Sequence, residues 1–88
     1  MREVEVVVTQ HDILYGGGHI YNCPLALAIS RAEGREFCVG TESFWLRNRP
    51  RLYASLPEPM RSFRRAYDTE GRSAVKPLAV TLQIPEAL

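Results

Sequence analysis

The residues of this chain best equipped for chemistry crowd into one short stretch, "YGGGHIYNCP", Tyr15 to Pro24. Gly16, Gly17 and Gly18 lead towards a helix expected to start near Cys23, with His19, Tyr21 and Asn22 between them. Glycines let backbone N–H groups converge, and a helix N-terminus adds partial positive charge. Gly16, Gly17, Gly18, His19, Tyr21, Asn22 and Cys23 are therefore the first candidate ligand site, for a nucleotide-like anion. The stretch has neither G-x-G-x-x-G nor G-K-[ST], and His19 to Asn22 separate the glycines from the helix. A plain connection is the competing reading.

Two other chemistries fit poorly. His19 and Cys23 are four residues apart, with His11 and Cys38 as further donors. Zinc sites show pairs such as C-x₂₋₄-C or H-x₃₋₅-H, and neither occurs, so no metal or other cofactor is expected. Cys23 at a helix start has the setting of a lowered thiol pKa, but no orienting partner can be named and Pro24 points to a capping role. Asp68 and Glu70 sit beside Gly71 as turn residues, and Asp12 is placed to cap a short turn, "QHDILYG". With no catalytic residues to assemble, the chain is not expected to be an enzyme.

Arginines form the second candidate site. Arg47, Arg49 and Arg51 lie in a central loop, and Arg61, Arg64 and Arg65 are expected on the outer face of a second helix. Between Phe44 and Tyr67 they meet a single acid, Glu58. Guanidinium forks suit phosphate, carboxylate or an acidic protein surface, and Trp45 and Tyr53 nearby can stack on a ring or base. A solvated helix face plus a charged loop is the alternative.

These residues need a frame. "EVEVVVT", Glu3 to Thr9, alternates as a half-buried strand. "NCPLALAISRAEG" reads as a helix capped by Asn22 or Cys23, with Pro24 in its first turn and Gly34 at its end. "REFCVG" and "SFWLR" read as strands joined near Thr41 and Glu42, and Arg47 to Pro57 as irregular loop. In "PEPMRSFRRAYDTEG", Met60, Phe63 and Tyr67 make one helical stripe. "PLAVTLQIP" closes the chain with Leu78, Val80, Leu82 and Ile84 on one strand face. The order β-α-β-β-α-β predicts an α+β, ferredoxin-like fold: a four-stranded antiparallel sheet with two helices on one face, in a single domain, residues 1–88.

The bulk numbers narrow the class. The 88 residues suffice for one small core. A net charge of +1 is no polyanion-binding signature. No apolar run nears a membrane span, and "MREVEVVV" is not expected to be a signal peptide. Cys23 and Cys38 alone make no disulfide framework, so a cytoplasmic protein with reduced thiols is expected.

Three pieces carry a resemblance: "VTQHDI", "CPLALAI", and "LPEPMRSFRRAYD" with "VKPLAVTL". Together they resemble a family of small proteins of unknown function encoded by bacteriophages and prophages. Its pattern is V-T-Q, a turn with an Ile, a glycine, then C-P-x-A-x-A, followed later by a helix with a Phe and an Asp. Thr9, Gln10, Ile13, Cys23, Pro24, Ala26 and Ala28 match the first part, and Phe63 and Asp68 the second. Many members carry another cysteine just before C-P, where this chain has Tyr21 and Asn22. The resemblance implies a phage setting and no particular activity. The resulting expectation is a non-enzymatic phage-type protein, acting in the host cytoplasm. It would modulate a host or defence factor by gripping an acidic protein surface with Arg47, Arg49, Arg51, Arg61, Arg64 and Arg65. The alternatives are a small-ligand binder that sequesters an anion at the glycine loop, and a nucleic-acid binder, which the near-neutral charge disfavours.

Overall fold

The computed structural model describes residues 1–88. Strand β1 (Arg2–Val8) leads into a short helix α1 (Gln10–Tyr15), the glycine loop, and helix α2 (Pro24–Glu33). Strands β2 (Phe37–Val39), β3 (Ser43–Leu46) and β4 (Tyr53–Ser55) follow, then helix α3 (Glu58–Glu70), a 3₁₀ turn at Arg72–Ala74, and strand β5 (Leu78–Ile84). No helix is long and apolar enough to cross a membrane.

Each end of the chain contributes one strand to an antiparallel ribbon, β1 with β5. The register sets Val4 against Leu82, Val6 against Val80 and Val8 against Leu78, so apolar side chains share the inner face. Glu3, Glu5, Thr81 and Gln83 take the outer face, as the period of two requires. Helix α2 packs on β1. Leu25, Ala26, Ala28 and Ile29 are buried there with Val6, Val8, Phe37, Phe44 and Met60 in one core.

The termini of the helices follow their sequences. Thr9 caps α1 in a reciprocal box: its hydroxyl accepts from the Asp12 N–H at 3.2 Å, and the Asp12 carboxylate accepts from the Thr9 N–H at 2.9 Å. Cys23 caps α2, its sulfur accepting from the Ala26 N–H at 3.4 Å. Gly34 ends α2 with φ +71°, a left-handed conformation that favours glycine. Arg31 ties the layers together. Its guanidinium donates to both Asp12 carboxylate oxygens (2.9 and 2.7 Å) and to the Val7 carbonyl (2.8 Å), covering part of the outer edge of β1.

The four-stranded ferredoxin-like sheet does not form. The strands make two separate sheets, β1-β5 and β2-β3-β4. A ferredoxin-like order would need β1 beside β3. That edge of β3 is occupied instead by β4, which pairs Phe44 with Ala54 and Trp45 with Tyr53. β4 lies inside the stretch expected to be irregular. It is three residues long, too short to show a clear alternation. The class is α+β, with three α-helices around two small sheets.

Candidate functional site

The glycine loop is closed upon itself. The Gly16 N–H donates to the Asp12 carbonyl (2.8 Å) and the Gly17 N–H to the Asn22 carbonyl (2.8 Å). The Asn22 side chain accepts from the His19 N–H at 3.0 Å, and the His19 carbonyl accepts from the N–H groups of Asn22 and Cys23. These amides do not converge on an empty space, as an anion cradle requires. The glycines serve close packing. A Cβ on Gly16 would stand 2.6 Å from the Asp12 carbonyl oxygen and 3.0 Å from the Pro24 ring, and one on Gly17 2.7 Å from the Asn22 amide. Gly18 faces open space.

Long-range bonds fix the loop's position. The Val39 N–H of β2 donates to the Ile20 carbonyl at 2.7 Å, so the loop runs along the edge of β2 away from β3. The Gly16 carbonyl accepts from the Tyr67 hydroxyl (3.2 Å) and from Arg72 (3.0 Å). Arg72 also donates to the Ile13 and Leu14 carbonyls, satisfying groups that the end of α1 leaves unpaired.

Cys23 is fully buried. Burial pushes its thiol pKa up and outweighs the opposing pull of the Ala26 amide and of Arg64. The Cys38 thiol is raised by burial as well. Both cysteines are free, and both are protonated at neutral pH. This is the opposite of an activated nucleophile. No group of three or more His, Cys, Asp or Glu side chains lies together in a way that could hold a metal ion.

The six arginines do not form one patch. Arg64 was expected on the outer face of its helix, but only 6% of it is exposed. Its Nε donates to the Asp68 carboxylate at 3.0 Å, and one terminal nitrogen is buried without a partner. The reason is geometric: Arg64 follows Phe63 directly and lies three residues before Tyr67, so it borders the buried stripe. Arg61 is held by Glu58 through two bonds of 3.2 and 2.8 Å, and Ser62 donates to the same carboxylate. Arg65 is exposed beside a shallow hollow that includes Glu42 and Asp68. Two acids that lie outside the Arg-rich stretch, Glu36 and Asp68, thus return to it in space.

Arg47, Arg49 and Arg51 stay exposed on the loop between β3 and β4. Arg47 lies 3.6 Å from Glu36 and stacks over the Tyr21 ring at 5.0 Å from its centroid. His19 stacks on Tyr21 as well, with ring centroids 5.5 Å apart. Arg47 and Arg49 share an open cleft of about 610 Å³ with Arg35, Asn48 and Glu36. Nearby, Ile20, Ser43, Trp45, Pro50 and Tyr53 line an apolar hollow of about 320 Å³. Tyr53 is 70% exposed and Ile20 43%.

The structure therefore joins two stretches that the sequence kept apart. Tyr21 of the glycine loop meets Arg47, and Ile20 joins Trp45 and Tyr53. Tyr21, Arg47, Trp45 and Tyr53 stand out as candidates in the sequence, whereas Ile20, Pro50, Ser43 and Arg35 join them only in space. An isoleucine in a polar loop was the one available signal for Ile20. Arg35 had none, because apart from Glu36 its neighbours in the cleft come from distant positions. No family model, curated protein or solved structure matches the chain.

Proposed function

We propose that this chain is a non-enzymatic, phage-type binding protein that modulates a host or defence factor by docking on an acidic protein surface. The observation that carries this reading is the apolar hollow of Ile20, Trp45, Pro50 and Tyr53 beside the exposed Arg47, Arg49 and Arg51. Pro50 lies in the hollow with Arg49 and Arg51 on either side of it in the chain. Docking surfaces combine apolar aromatic anchors with a polar rim, and Trp, Tyr and Arg are the residues that most often carry the binding energy. The phage setting rests on the resemblance of "VTQHDI" and "CPLALAI" to phage-encoded proteins. The contribution of α3 is confined to Arg65, since Arg64 is buried and Arg61 is held by Glu58 at 2.8 Å, a closer pairing than the 3.6 Å between Arg47 and Glu36.

The test is capture of the partner from a bacterial lysate, followed by calorimetric titration of the purified partner. Arg47→Glu, Arg49→Glu and Arg51→Glu together should weaken binding at least about thirtyfold, while Arg61→Glu with Arg65→Glu changes it by less than about threefold. Equal losses for the two sets would sink the assignment to the loop. Capture that disappears with nuclease, with affinity falling steeply on a log–log salt plot, would replace the protein partner with a nucleic acid.

A further inference from the structure

The outer edge of β5 is bare. β1 is the only strand paired with it, and no backbone group of Leu78–Ile84 bonds to a turn, loop or cap. Alternate N–H and C=O groups of the strand therefore point away from β1 with nothing opposite. Exposed edges are normally guarded by lysine, proline, a bulge or a covering helix. The seven residues "LAVTLQI" contain no charge, no proline and no glycine.

The flanks of this strand make it self-complementary. "KPLAVTLQIPE", Lys76 to Glu86, is nearly symmetric in chemical type about Thr81. A second copy running antiparallel, with Thr81 facing Thr81, sets Val80 against Leu82 and Leu78 against Ile84 on the inner face. Ala79 meets Gln83 on the outer face. Pro77 meets Pro85 at each end, where a missing N–H stops the ladder. Lys76 and Glu86 lie just outside the paired strands, Glu86 in the turn that the Leu88 N–H closes on the Pro85 carbonyl, so each Lys76 flanks the end that carries the other copy's Glu86. Lys76 is exposed and pairs with no acid within its own fold. The Glu86 side chain is 88% exposed even with the Met1 amine 3.2 Å away. A one-residue slip would set the apolar face against the polar one.

We propose that the chain self-associates as a two-fold dimer through the β5 edge, giving one four-stranded antiparallel sheet in the order β1-β5-β5-β1. The occupant of the edge is a second copy of this chain. The hollow of Ile20, Trp45, Pro50 and Tyr53 shares no residue with the pairing strand, although Glu86 also lines the cleft of Arg47 and Arg49.

Sedimentation velocity over a concentration series of the full chain tests it. Thr81→Lys sets two like charges face to face on the axis, while within one chain the new side chain lies across from Glu5 and is compatible with the fold. Lys76→Glu sets acid against acid at both ends. Each should raise the dimer dissociation constant about tenfold or more, with circular dichroism unchanged. Adding Glu86→Lys to Lys76→Glu should restore the original value. Thr81→Cys should form an inter-chain disulfide under mild oxidation, since Cys23 and Cys38 are buried and do not compete. A monomer at every concentration, a dimer indifferent to these changes, or no cross-link at position 81 would overturn the proposal.

Discussion

Three buried or half-buried side chains decide the local energetics. The Asp12 carboxyl is pushed up by its own burial, but the Arg31 bonds and the Thr9 amide outweigh this and hold it below the usual range. Asp12→Ala removes a cap and strands the charge-assisted bonds of Arg31, so it should destabilise by about 2 kcal/mol in urea denaturation. Arg64 behaves differently. One of its terminal nitrogens is already without a partner, and buried charges are often replaced by apolar residues at little cost. Arg64→Met should change stability by less than about 1 kcal/mol, whereas Asp68→Asn, which leaves the guanidinium without its carboxylate, should cost about 1–3 kcal/mol. The reverse ordering would mean that Arg64 is needed for the fold. Cys23 is sealed and its thiol protonated, so native protein should react slowly with iodoacetamide at neutral pH and quickly after unfolding.

The elements separate what was legible in the sequence from what was not. Helix α2 begins at its Cys-Pro and ends at Gly34 as read, because capping chemistry is local. The alternation of β1 and β5 likewise gave their inner faces. The sheet order was not legible. It turns on whether β1 or β4 takes one edge of β3, and a three-residue strand carries too little pattern to show this. The burial of Arg64 was hidden because arginine reads as surface wherever it occurs. Three adjacent glycines also look alike in sequence and differ in space. Gly16→Ala and Gly17→Ala should each lower stability by about 1–3 kcal/mol, because a Cβ there meets the Asp12 carbonyl or the Asn22 side chain. Gly18→Ala should be neutral or stabilise by up to about 1 kcal/mol, since nothing lies within 4 Å. Thermal melts of the three variants check this ranking, and equal effects at all three would show a loop looser than described.

At the scale of the whole molecule, ionisation sets the pH window of stability. Asp12 and Glu33 have native pKa values below those of the unfolded chain. Their contribution to stability is complete above the unfolded carboxyl values, near about 4, and is lost as pH falls through the native values. The thiols of Cys23 and Cys38 are raised, so their contribution is complete below the unfolded value, near about 8.5, and is lost as pH rises through the native values. Denaturation midpoints should therefore plateau between these limits and fall on both sides, and Asp12→Asn should flatten the acid limb. The docking proposed above uses the apolar hollow and its arginines, and the only tryptophan of the chain, Trp45, lines that hollow. Fluorine NMR of protein carrying fluorotryptophan at Trp45 reads this surface directly. On titration with the captured partner, the single resonance should shift and saturate with the binding isotherm, and it should stay in place when Arg47, Arg49 and Arg51 are reversed to glutamate. A resonance that does not move while calorimetry shows saturation would contradict the account.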